Sequence, residues 1–237
     1  MKYLFILCMA VCTFTGCDTL SKLPNANLPL PVTEADAAAA LRQALDKGVS
    51  RGIATLNKQD GFFGSAAYKL LLPPEAEKIE STLRQLGMGP LVDRAILQIN
   101  RAAEDAVGAA APIFLEAIQG MSIQDALGIV RGGNNAATEY FRQRTREKLV
   151  ATFSPIIKAS LDKFSATKHY GDVVSTYNNF PTTLRKLNPD LPSYVVDRSV
   201  NALFDQIAQE EAAIRSNPAA RTTELLKRVF GSVNRGF

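Results

Sequence analysis

Beyond residue 17 the sequence contains no cysteine. Cys8, Cys12 and Cys17 are its only three, all at the amino terminus. The body of the chain therefore has no thiol nucleophile, no disulfide and no cysteine metal site, and it suits an oxidising compartment without needing a cross-link. Histidine is nearly as scarce, since His169 stands alone. That removes the usual nitrogen-and-sulfur zinc settings and leaves one ring for any Ser-His-Asp system. Asp172, three residues on, is placed to orient that ring, yet no G-x-S-x-G elbow occurs in the chain. A capping or surface histidine is the simpler reading. Tryptophan is absent, and no run of alternating β-branched residues is long enough to propose a sheet. No fixed period marks a repeat array. Charge of one sign is also missing: without Lys2 of the leader, 26 of the 27 basic residues face 23 acidic ones, a balance too mild to argue for nucleic acid. No cofactor and no metal are expected.

What is present begins at the amino terminus. Lys2 lies in a short positive region, and Leu4 to Thr15 is an apolar run of about a dozen residues, the length of a secretory core and too short to span a bilayer. It ends in Phe14-Thr15-Gly16-Cys17, which resembles the lipobox of bacterial lipoproteins with Phe14 where leucine is usual. The resemblance implies cleavage before Cys17 and lipidation of Cys17; an ordinary cleaved signal is the competing reading. Acyl chains at Cys17 would anchor stably, each buried methylene adding about 0.8 kcal/mol. The organisation expected is a lipoprotein signal over 1–16, a lipidated cysteine with a flexible tether over 17–32, and one domain over 33–237. The tether reading follows from three prolines and no helical period in Asp18 to Val32.

From Thr33 onward the patterning is helical, and alanine is abundant. Thr33 with Asp36 reads as a cap, followed by a stripe of Ala37, Leu41, Leu45, Val49, Ile53 and Leu56. Asp60 to Gly64 places glycines around Phe62 and Phe63, which either plug the core or face a partner. Pro74 and Pro90 suit helix starts, and Gly87 a helix end. Along the second of these helices Leu91, Ala95, Ile99, Ala102 and Ala106 share one side, and Arg101, Glu104 and Asp105 suit the other. Pro112 starts or kinks a further piece, and Ser122 caps another with Asp125 at its third position. Pro155 marks a kink or restart, 168–171 a junction, and Pro181 the end of a short helix. Pro189 and Pro192 bound a turn before a helix from about Ser193 to Arg215 with Val196, Val200, Leu203, Phe204 and Ile207 buried. Asn217-Pro218 breaks it, and Leu225, Leu226, Val229 and Phe230 dock a last helix. The fold class expected is all-α, a single irregular bundle of about eight to ten helices.

The most distinctive stretch runs from Met121 to Leu149. Arg131, Gly132 and Gly133 end one segment, and Asn134-Asn135 opens a helix carrying Thr138, Tyr140, Arg142, Arg144, Arg146 and Lys148. A helix start bracketed by glycines is a natural anion site, with Arg131 and Arg142 at its flanks. It lacks the G-K-[ST] ending of a nucleotide loop, and a tight turn capped by Asn134 explains the same glycines. The cations recur every second residue, so they spread around the helix; a solvated helix and a contact with anionic lipid head groups are both consistent. Carboxylates cluster at Glu75, Glu77 and Glu80, at Glu104 with Asp105, and at Glu210 with Glu211, on faces that periodicity assigns to solvent.

Several blocks occur in order. They are Gly61-Phe62-Phe63-Gly64, Leu71 to Pro73, Leu86-Gly87-Met88-Gly89, Asn100 to Glu104, Pro112-Ile113-Phe114 and Ala136 to Arg142. Together they resemble the bacterial family called domain of unknown function 4197. The resemblance implies an exported helical protein, often a lipoprotein, and brings no established activity. The function expected is therefore a non-enzymatic module at the cell envelope, facing the periplasm or cell exterior. It would be held to the membrane through Cys17 and would bind an anionic or amphipathic ligand, an anionic lipid or an envelope protein. An envelope hydrolase using His169 or a carboxylate pair, and a structural subunit of an envelope complex, are the alternatives.

Overall fold

A computed structural model describes residues 33–181 and 190–216, together with Lys227. The leader, Cys17, the tether, Pro189, the Asn217-Pro218 break and the docking helix expected at Leu225 to Phe230 lie outside the described residues. The architecture is all-α, with no strand among the described residues. The helices are α1 (Glu34–Leu56), α2 (Glu77–Gln85), α3 (Gly89–Val107), α4 (Ala111–Gln119), α5 (Ile123–Arg131), α6 (Ala136–Lys163), α7 (Ala166–Asn178) and α8 (Leu191–Ser216). Single 3-10 turns at Pro74–Ala76 and Gly108–Ala110 lead into α2 and α4.

Local chemistry sets most helix ends. Thr33 and Asp36 form a reciprocal capping box, with Asp36 N–H donating to Thr33 Oγ1 at 3.0 Å and Thr33 N–H to Asp36 Oδ2 at 3.1 Å. Ser122 and Asp125 repeat it at the start of α5. Asp190 accepts the N–H and hydroxyl of Ser193 at the start of α8. Gly87 stops α2 in the left-handed region at φ 78°, and Met88 N–H reaches back to the Leu83 carbonyl at 2.8 Å. Pro90 and Pro112 stand in the first turns of α3 and α4, where a missing N–H costs no helical bond.

Two expected boundaries are displaced. Pro155 does not interrupt α6, which runs through it. The bond that proline removes belongs to the carbonyl of Ala151, and both residues are on the exposed side of the helix, where a missing bond costs least. The buried stripe of Leu149, Phe153, Ile157 and Leu161 continues unbroken across the site. The junction expected at 168–171 lies earlier, at Ser165, whose φ of 55° turns the chain. His169 is thus inside the first turns of α7 rather than between helices.

α1 packs on α4, α5 and α8, α3 on α6 and α7, and α6 along α8. At the centre Phe114 of α4 meets Phe141 of α6 edge-on at 5.4 Å and Phe204 of α8 at 6.1 Å. Such edge-to-face pairs add about 0.5–1.5 kcal/mol each beyond area burial, and this trio sets the separation of the three helices on which the candidate site is built. Among the described residues no single helix is long and apolar enough to cross a membrane.

Candidate anion-binding cleft

The start of α6 does hold an anion, and the anion is part of the chain. Glu211 on α8 accepts the Ala137 N–H at 3.0 Å, the Thr138 N–H at 2.9 Å and the Thr138 hydroxyl at 2.9 Å. Arg215, one turn on, donates to Glu211 Oε1 at 2.8 and 2.9 Å. The same guanidinium reaches the carbonyls of Ile129 at 2.8 Å and Gly132 at 3.3 Å, at the end of α5. One ion pair on α8 thus caps two helices. Its carboxylate meets the positive pole of α6 and its cation the negative pole of α5.

This arrangement corrects the sequence reading of the glycine break. Asn134 is exposed, and the cap position is Asn135, which is left-handed at φ 70° and makes no side-chain cap. Gly132 is required because a Cβ there would lie 2.7 Å from that of Ala136 and 2.8 Å from the Gly128 carbonyl. Thr138 is buried beneath Glu211. Gly133 is exposed, and Arg131 lies out in solvent, 3.8 Å from Glu34. The helix-start N–H groups expected to receive an external anion are therefore taken by Glu211.

The cations of α6 divide between two flanks. Arg142 stands over the Phe204 ring at 4.7 Å with Glu139 at 3.3 Å, and Arg146 bridges Asn201 and Asp197 at 3.0 Å each. Both face α8, away from the helix start. On the other flank a cleft of about 220 Å³ opens between α4 and α6. Ile113, Glu116 and Gly120 line one wall, and Tyr140, Arg144 and Lys148 the other. Lys148 pairs with Glu116. Arg144 sits 5.7 Å over the Tyr140 ring and has no hydrogen bond or ion pair among the described residues. Burial pushes the Tyr140 hydroxyl above its ordinary pKa, with the Asp125 charge acting in the same direction and Arg144 and Arg42 opposing. Asp125 is held below the usual carboxylate range by the hydroxyl and N–H of Ser122, with Arg144 assisting. Two cations and one carboxylate leave the cleft wall net positive.

A second, larger depression of about 490 Å³ lies between residues 57–59 and α3. Its floor depends on a further buried carboxylate. Glu104 Oε1 accepts the N–H groups of Phe62 and Phe63 at 3.1 Å each, and Oε2 accepts from Arg101 at 2.7 Å. Arg101 continues to Asp60 at 2.8 Å. Gly61 is forced here, since a Cβ would lie 2.3 Å from the Leu56 carbonyl. One helical turn earlier, buried Asn100 exchanges hydrogen bonds with both backbone groups of Leu70, at 2.8 and 2.7 Å. The segment 57–73, which has no helix of its own, is thereby tied to α3 at both ends. Phe62 is wholly buried and Phe63 half-buried beneath Lys69, 4.3 Å away.

Glu104 and Glu211 were assigned to solvent by periodicity and are instead 5% and 6% exposed. A signal existed: the stripe Val200, Leu203, Ile207 runs on through Glu211 to Ile214, and Ile96, Asn100 and Glu104 share a face. Arg144, Glu116 and Lys148 carry no such signal, because nothing in one helix names the helix it faces. Of the carboxylate pairs, Glu104 has all its oxygens engaged, and Asp105 is held below its ordinary pKa by Lys163 and Ser160. A general acid near neutral pH needs the opposite shift. His169 is half-buried and lines neither the cleft nor the depression. No group of three or more metal-ligating side chains occurs among the described residues.

A family profile described as "Protein of unknown function (DUF4197)" matches residues 31–231. No curated protein and no solved structure matches the chain.

Proposed function

Because the chain belongs to the DUF4197 family of proteins of unknown function, its role has to be read from its own residues, and we propose that it is a lipid-anchored module of the bacterial cell envelope that binds an anionic group in the α4–α6 cleft. The observation that carries the binding half is the guanidinium of Arg144, which makes no hydrogen bond or ion pair among the described residues and is held over Tyr140 in a net positive recess. Arginine in this setting presents a planar fork suited to phosphate or carboxylate oxygens, and the Tyr140 hydroxyl adds a donor. A cleft of about 220 Å³ is smaller than the roughly 300–1,000 Å³ of drug-sized pockets, which suits a single charged group such as a lipid head group. The anchoring half rests on Gly16-Cys17 after the apolar run and on the proline-containing tether behind it. No step of catalysis is assigned.

Radiolabelled palmitate is expected to label the full chain expressed in bacteria and to leave Cys17→Ala unlabelled; equal labelling of both would remove the anchor. For the cleft, Arg144→Ala with Lys148→Ala is expected to weaken binding to phosphatidylglycerol vesicles about thirtyfold, on the scale of about 1 kcal/mol per basic residue near a charged surface. Arg142→Ala with Arg146→Ala, whose side chains are turned to α8, serves as the comparison and is expected to change binding little. An equal loss from both pairs would mean that the helix charge as a whole, and not the cleft, attracts the surface.

A further inference from the structure

We propose that the depression between residues 57–59 and α3 is a second binding site, one that takes an uncharged glycan. The inference is independent of the anionic cleft and stands on different residues.

Its electrostatics differ in kind. Lys58 and Arg101 are matched by Glu104 and Asp105 in the same lining, so neither sign of ligand charge is favoured over the other. Three of these four are also engaged within the protein, Arg101 with Glu104 and Asp60, and Asp105 with Ser160 and Lys163. What remains available is one lysine and two carboxamides. Among the described residues no hydrogen bond or ion pair engages the side chains of Lys58, Gln59 or Gln98. A carboxamide offers two donors and a two-lone-pair acceptor on one rigid plane. That is the complement of a sugar hydroxyl, which gives and receives at once, and of an acetamido group, which pairs with a carboxamide on both edges. Phe164 adds half-buried ring surface at the margin, against which the apolar C–H face of a pyranose can rest.

The site is also held in shape before any ligand arrives. Asn57 donates to the Glu104 carbonyl at 2.6 Å, Gly61 N–H returns to the Lys58 carbonyl at 3.0 Å, and Glu104 grips the next two N–H groups. Lys58 and Gln59 therefore ride on a loop pinned on both sides, which lowers the ordering cost of binding. The volume of about 490 Å³ falls within the roughly 300–1,000 Å³ of ligand sites, and its open form, with apolar surface between the carboxamides, suits a flat ligand that has both C–H faces and hydroxyl edges.

The test is ligand-observed saturation-transfer NMR on the full chain, with tri-N-acetylglucosamine and maltotriose as probes. Saturable transfer to at least one sugar is expected, with a Kd on the order of 1 mM or below. Gln59→Ala with Gln98→Ala should weaken it about thirtyfold, from about 1 kcal/mol for each lost hydrogen bond. Arg144→Ala with Lys148→Ala should leave it unchanged, as should raising the salt, since the lining carries no net charge and the ligand none. Circular dichroism confirms that the glutamine variant folds, Gln59 being exposed and Gln98 half-buried. Absence of saturable transfer to both sugars, an undiminished affinity in the glutamine variant, or binding that falls away with salt would each overturn the proposal.

Discussion

Glu211→Ala is expected to cost the fold about 3–5 kcal/mol, the range seen when one partner of a buried, hydrogen-bonded ion pair is removed. The carboxylate is 6% exposed and satisfies two backbone N–H groups and one hydroxyl at the start of α6. Its loss orphans all three and takes from Arg215 the carboxylate it meets at 2.8 and 2.9 Å. Urea unfolding monitored by circular dichroism gives the number. Arg215→Ala should cost less, because the carboxylate keeps its three donors, and the two single costs should exceed the cost of the double variant by more than 1 kcal/mol. A loss below about 1 kcal/mol for Glu211→Ala would mean that water replaces the carboxylate at the helix start, and that the α8 ion pair does not hold the α5–α6 turn.

Asn100→Ala is expected to cost about 2–4 kcal/mol and to loosen one segment before the rest. The amide closes a ring with Leu70, accepting its N–H at 2.8 Å and donating to its carbonyl at 2.7 Å, and it also donates to Ile96 at 2.7 Å. Alanine leaves the Leu70 groups buried without partners, each at about 1–3 kcal/mol. Asn100→Asp sharpens the test. It can still accept from the N–H, but it sets a carboxylate against two carbonyls in a wholly buried site, so it should be worse than alanine. Trypsin supplies the local readout, since Lys58 and Lys69 lie within the tied segment and should become cleavable under conditions where the wild type is resistant. Cleavage rates identical to wild type, with stability unchanged, would show that the aromatic plug of Phe62 alone secures the loop.

Both residues illustrate how much was legible in advance. Where a feature depends on neighbours within one or two turns, the residues announced it. The capping boxes at Thr33 and Ser122, the stop at Gly87, the proline starts of α3 and α4 and the buried stripes all follow from backbone groups that must find partners close by. α6 does not restart at Pro155 for a reason outside the chemistry of proline, since that residue lies on the exposed side while Phe153 and Ile157 are buried against other helices. The same limit applied to the charges. Glu104 and Glu211 look like solvent residues because a carboxylate is almost never buried alone, and the backbone N–H groups they accept from lie 41 to 74 residues away.

By itself the sequence determined an all-helical fold, the family, the absence of thiol chemistry from the body of the chain, and most helix ends, since periodicity, capping and residue inventory are local. Only the tertiary structure decided what the Gly132 to Arg146 stretch does with its charges. Glu211 fills the helix start, α8 receives Arg142 and Arg146, and Arg144 is left over the cleft with α4. The physical reason is that a charge acts through whatever packing brings within a few ångströms of it, and α8 and α4 bring the neighbours that α6 alone does not name.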